Sequence, residues 1–182
     1  MKKFLIAAGC VLMLMQSAFA QKVLLKSGDQ YIGGKLALGS VGGASVGFVG
    51  TYEMGLQDNI GIGGSVAYSG YSDSYGYGAW SGEWKYTNIF IVATGTYHMD
   101  LLKNDKIDTW GALHLGYNVA SASFSWTSSG VPSWVASPSV SAGGFIVGIS
   151  ANARYFVSDN LAVAGSIGFG MGILNLGVDY KF

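Results

Sequence analysis

The sequence predicts an all-β chain folded as an eight-stranded antiparallel up-and-down transmembrane β-barrel, and three observations predict it. Apolar residues recur with a period of two and not at helical spacing. Short polar turn signals alternate along the chain with longer segments rich in Ser, Gly, Tyr and Trp. Half of the 182 residues are hydrophobic while 11% are charged, under half the usual ~25%. That is more apolar surface than one small core absorbs, so part of it belongs on an outer face.

The same composition excludes other classes. Ten basic side chains balance ten acidic ones, so the basic excess of a nucleic-acid binder is missing. High hydrophobicity with no net charge is the opposite of a disordered chain. Beyond the N-terminus no stretch approaches 18 consecutive apolar residues without Gly, Ser or charge, which excludes membrane-spanning helices.

From the N-terminus, Lys2 and Lys3 precede an apolar run from Phe4 to Met15, and Ala18, Phe19 and Ala20 form the small-x-small pattern that signal peptidase cuts after. Residues 1–20 are therefore expected to be a signal peptide cleaved after Ala20. Residues 21–30 are expected to be a short periplasmic segment, and residues 31–182 the barrel. Cleavage removes Cys10, the single cysteine, and leaves 8 basic against 10 acidic residues. With no disulfide available, stability must come from backbone pairing in a closed sheet.

Alternation places strands near residues 31–40, 44–56, 60–70, 85–98, 108–124, 139–156, 161–170 and 173–182. In the third, Ile60, Ile62, Val66 and Tyr68 alternate with Gly61, Gly63, Ser65, Ala67 and Ser69; in the seventh, Leu161, Val163, Ile167 and Phe169 alternate with Ala162, Ala164, Ser166 and Gly168. Each strand with its connection has about 20 residues, enough for the ~10 that a tilted strand needs to cross a bilayer. Turns are expected at 57–59, 103–106 and 158–160, with long loops over 69–84 and 120–138. The connections near 41–43 and near Met171 are expected to be short. A weak repeat supports this register: Tyr52 to Gly64 and Tyr155 to Gly165 both run from an aromatic through Asp-Asn into an alternating strand.

Parity sorts the side chains. Tyr52, Tyr97, Tyr155 and Tyr180 share the apolar stripes of their strands at the short-turn ends, where they are expected to form an aromatic girdle at one membrane interface. Lys35, Glu53, Arg154 and Asp179 fall on the opposite, inward faces. There they are expected to form a lumen ion-pair network, because an isolated charge in low dielectric is very costly. The network is read either as a gate or as groups that fill the barrel and satisfy one another. A soluble barrel would need the stripes inside and these four charges outside.

These patterns resemble the small bacterial outer-membrane β-barrel family, of the OmpA transmembrane domain, OmpX and OmpW type. The most specific feature is the C-terminal stretch from Asn175 to Phe182, which matches the family's assembly signal of polar-x-Gly-x-x-aromatic-x-aromatic at Asn175, Gly177, Tyr180 and Phe182. The resemblance implies short turns and both termini in the periplasm, long loops outside, and location in the bacterial cell outer membrane. It implies outer-membrane lipid and the barrel assembly machinery as partners. Because no periplasmic domain follows Phe182, the anchoring role of two-domain members is not expected.

Candidate chemistry is sparse. Lipid-modifying barrels pair a His with a Ser near the outer rim, whereas His98 falls at a turn end and His114 near mid-barrel. No catalytic residue is assigned. Two His sixteen residues apart offer no metal-ligand spacing, and no metal, cofactor or nucleic acid is expected. Tyr71, Tyr75, Tyr77, Trp80, Trp84, Trp126 and Trp134 concentrate rigid rings in the two long loops and are candidate contact residues. The functional expectation is a non-enzymatic barrel, structural or porin-like for small solutes. The alternative is recognition of a surface partner, or of a small apolar ligand, through the aromatic loops.

Overall fold

The computed structural model describes residues 24–77, 80–128 and 135–182. The expected signal peptide and Trp134 lie outside the described residues, as does the side chain of Tyr77. Eight strands follow in order: β1 (Gln30–Val41), β2 (Ala44–Gln57), β3 (Ile60–Tyr77), β4 (Trp80–His98), β5 (Ile107–Trp126), β6 (Ser139–Phe156), β7 (Leu161–Phe169) and β8 (Leu174–Lys181). Each pairs antiparallel with its neighbour in sequence, and β8 pairs with β1, so the sheet closes. Closure gives every strand two partners along the barrel wall, which lets a chain cross lipid without stranded backbone groups.

The stripes face outward. Phe145, Val147 and Leu113 are 85%, 71% and 65% exposed, and Ile32, Phe48, Val66, Ile91, Ile167 and Val178 are also exposed apolar residues on this wall. The soluble alternative, with the stripes turned inward, is thereby excluded. The tight ends use residues suited to them. Gly42 and Gly43 join β1 to β2 in left-handed conformations, φ 61° and 91°. Gly170 and Gly172 serve the β7–β8 connection in the same way.

One expectation is corrected. Residues 69–84 are not a long loop. β3 and β4 pair without interruption to Tyr77↔Trp80, and β5 follows to Gly82↔Trp126. The physical reason is cross-strand aromatic packing. Tyr71 stands opposite Tyr86 with ring centroids 4.6 Å apart and 12° between planes, a pairing that stabilises strands more than Ser and Gly weaken them. β5 and β6 also continue to Ser123↔Ser139, leaving a shorter connection than the 120–138 loop expected. Because β2 pairs with β3 only as far as Ser69, and β6 with β7 only as far as Phe169, strands β3 to β6 stand above a low rim made by β1, β2, β7 and β8.

The lumen is layered. Near the short-turn end it holds charges. An apolar layer then crosses it, built from Ala37, Val41, Val49, Ala67, Phe90, Val92 and Met171, with Ile146 packed against them. Above that, Asn118 Nδ2 donates to Asn88 Oδ1 at 3.0 Å, and Asn88 Nδ2 to the Gly42 carbonyl at 2.9 Å.

Candidate functional site

The predicted lumen residues do come together. Arg154 Nη2 lies 3.1 Å from Glu53 Oε2, Arg154 Nη1 lies 3.6 Å from Asp179 Oδ2, and Lys35 Nζ lies 3.2 Å from Asp179 Oδ1. Two further members complete the set. Asp108 Oδ2 accepts from Arg154 Nε at 2.8 Å, its Oδ1 faces His98 Nδ1 at 2.8 Å, and His98 Nε2 faces Glu53 Oε1 at 2.9 Å. Glu53, His98, Asp108 and Arg154 thus form a closed ring of contacts across the lumen. Thr96 Oγ1 donates a further bond to Glu53 Oε1 at 2.6 Å.

The ring states its own charge balance. Both imidazole nitrogens of His98 face carboxylate oxygens, which only accept, so the imidazolium with two N–H groups is the form that satisfies both. With His98 charged, three cations (Lys35, His98, Arg154) meet three carboxylates (Glu53, Asp108, Asp179). The six residues come from β1, β2, β4, β5, β6 and β8, so the network ties six strands at one level. Aromatic faces close it from the sides. Arg154 Cζ lies 3.6 Å from the Tyr31 ring centroid and 4.6 Å from that of Trp110, and Trp110 stacks on His98 at 5.2 Å.

The parity argument found four of these six residues. Asp108, the first residue of its expected strand, and His98, at a turn end, are not among them. The usable signal was parity with neighbours: His98 shares the inward face of Thr96 and Thr94, and Asp108 that of Trp110 and Ala112. His114 sits higher, between Thr94 Oγ1 at 3.1 Å and Ser150 Oγ at 2.9 Å.

Free space between the network and the apolar layer is small. One cavity of about 60 Å³ and an adjoining one of about 50 Å³ share Lys35, Thr51, Ser65, His114 and Asn152 as lining. Each has room for a few waters and for no larger solute.

The second candidate site is the inner face of the raised sheet. Six rings touch in a continuous line from β3 to β5: Tyr71, Tyr86, Trp84, Phe124, Trp126 and Trp80. Successive centroids are 4.6, 6.3, 5.3, 4.8 and 6.1 Å apart. Phe124 lies over Gly82, whose lack of a side chain gives the ring its seat. Tyr75 extends the same face and is exposed. Of the predicted contact residues, Tyr71, Trp80, Trp84 and Trp126 join the line. Phe124 and Tyr86 complete it from the same even, inward parity of β5 and β4.

Tyr52, Tyr155 and Tyr180 are exposed on the outer wall, and Tyr97 is half-buried beside them in parity. In β8, a side chain at Gly177 would collide with the Gly34 carbonyl oxygen and with Lys35, so this glycine is required where β8 closes on β1. Asn175 Nδ2 donates to Ser166 Oγ at 3.1 Å.

No protein-family model matches the chain, and no curated protein is similar to it. Solved structures share its fold. A de novo designed transmembrane β-barrel superposes with a TM-score of 0.56 at 14% identity, covering 89% of this chain and 99% of the design. The N-terminal β-barrel domain of Pseudomonas aeruginosa OprF superposes with a TM-score of 0.55 at 13% identity, covering 86% of this chain and 98% of that domain. At such identities the likeness concerns the fold, an eight-stranded transmembrane β-barrel.

Proposed function

We propose that this chain is a non-enzymatic protein of the bacterial outer membrane that recognises a surface partner through the inner face of its raised sheet. The observation that carries the reading is the continuous line of six rings from Tyr71 to Trp80. Rigid aromatic side chains give large contact area at little cost in rotamer freedom, and these stand above a low rim that leaves their face approachable. The orientation follows the family resemblance, with short turns in the periplasm and the raised sheet outside.

The test displays the chain on a laboratory bacterium and counts cells retained on immobilised matrix proteins and glycans. Retention is expected for the unaltered barrel and is lost when Trp80, Trp84 and Trp126 are all replaced by Ala. Equal retention of the two strains rejects recognition by this face.

Passage of water or small ions is the second reading, favoured by the two water-sized cavities that adjoin the charged network. It requires the layer of Val49, Phe90, Val92 and Met171 to part. Single-channel recording in planar bilayers decides: if Glu53 belongs to a gate, Glu53→Ala raises the current, and an unchanged current leaves the network as lumen packing.

A further inference from the structure

Within the expected periplasmic segment 21–30, residues 24–29 fold back against the short-turn mouth of the barrel. Leu24 N–H donates to Asn59 Oδ1 at 2.8 Å, and Asn59 N–H returns a bond to the Leu25 carbonyl at 2.7 Å. Gly28 N–H donates to the Gly55 carbonyl and Gly55 N–H to the Asp29 carbonyl, both at 2.9 Å. Leu25 is completely buried, although it belongs to no strand and sits beside a cluster of charges.

The barrel keeps a slot for it. A side chain at Gly55 would collide with the Lys26 carbonyl. At Gly61 the same added carbon would lie 2.9 Å from Leu25 Cδ2 and 3.1 Å from Glu53 Oε1. One apolar side chain therefore rests on the same side of Gly61 as the Glu53 carboxylate, in space cleared by two glycines. The segment turns into β1 through Gly28, at φ 87°, where an added side chain would meet nothing within 4 Å. That left-handed conformation costs glycine nothing, so the chain can pivot there once the bond to Gly55 is released.

We propose that residues 24–29 are a hinged stopper, with Leu25 as the plug and Asn59 as the latch, which seals the charged half of the lumen from the aqueous side. The seal rests on one side chain and a few hydrogen bonds, while the wall behind it is held by continuous strand pairing. Opening is therefore local and leaves the barrel closed as a sheet. When the stopper lifts, water reaches Glu53, His98 and Thr96 from that end, and the apolar layer above remains shut.

The test uses the chain without its signal peptide, which has no cysteine, refolded into detergent micelles. Thr96→Cys places a thiol under Leu25, and Ser158→Cys places one on an exposed turn as reference. Each is timed against a small cationic methanethiosulfonate reagent. The expected result is that the thiol at 96 reacts at least about tenfold more slowly than the one at 158. Adding Leu25→Ala or Asn59→Ala should recover about tenfold of that rate, with the shift between boiled and unboiled gel bands preserved. Equal rates at 96 and 158 overturn the proposal, as does a folded Leu25→Ala or Asn59→Ala variant that reacts no faster. If neither variant folds, the comparison of positions 96 and 158 still decides.

Discussion

The two ends of the barrel put opposite chemistry on the same inward face. At the short-turn end that face carries six mutually paired charged groups, four of them buried, with Arg154 only 1% exposed. At the raised end it carries rings that stack on one another while Trp80 and Tyr75 stay 41% and 57% exposed. The difference is one of surroundings. Where strands close a full circle, charges can be satisfied from six sides and held out of water. Where β3 to β6 rise alone, there is no opposite wall, and the rings gain by packing on one another. The closed end is thus filled by paired charges, and the raised end keeps part of its rings exposed.

The hardest break of this contrast is Arg154→Met. It removes the cation shared by Glu53, Asp108 and Asp179 and leaves three carboxylates facing Lys35 and His98. Loss of one partner from a buried ionic network costs about 3–5 kcal/mol, and urea titration in micelles should show a loss of that size. A loss below about 1 kcal/mol would mean that the ring behaves like a solvated surface pair.

Gly177→Ala should cost about 1–3 kcal/mol, the usual penalty of overpacking, because the new methyl group meets the Gly34 carbonyl and Lys35. The same residue belongs to the C-terminal pattern that resembles an assembly signal, so two explanations compete. Refolding of purified chain separates them, since no assembly machinery is present. Impaired refolding supports packing between β8 and β1. Normal refolding combined with poor assembly in cells assigns the glycine to recognition.

Period-two alternation made most of the wall legible in sequence. It located every strand, the short turns and the inward positions of Lys35, Glu53, Arg154 and Asp179, since parity depends on neighbours in the chain. What it missed depends on partners far away. Asp108 reads as an ordinary first residue of a strand until register sets it opposite Arg154. Residues 69–84 read as a loop until Tyr71 meets Tyr86. The apolar layer across the lumen was overlooked for a different reason: Ile89, Phe90, Ile91 and Val92 are apolar on both faces, and a continuous run conceals which of its members point inward.

At the raised end a substitution should act locally. Trp84→Ala removes contacts to Tyr86 and Phe124, each ring pair being worth about 0.5–1.5 kcal/mol. Because that sheet stands above the closed barrel, the expected effect is faster amide exchange from residues 70–77 and 80–86 with the urea midpoint of the barrel unchanged. A shift of the midpoint would show that the two ends unfold as one unit, and the division drawn between them would fail.

The smallest effect is expected one residue further along the strand. Lys85 lies on the opposite face of β4 from Trp84, 3.8 Å from Glu83 and with its side chain 60% exposed. Surface pairs of this kind contribute about 0–1 kcal/mol, so Lys85→Ala should leave both the urea midpoint and surface retention as they were. The comparison is sharp because the two residues are adjacent in sequence and differ in the face they present. If retention survives Lys85→Ala and falls with Trp84→Ala, the ring face is the one that meets the partner. If the lysine variant loses retention and the tryptophan variant keeps it, the partner binds the outer wall, and the stacked rings serve to hold the sheet upright.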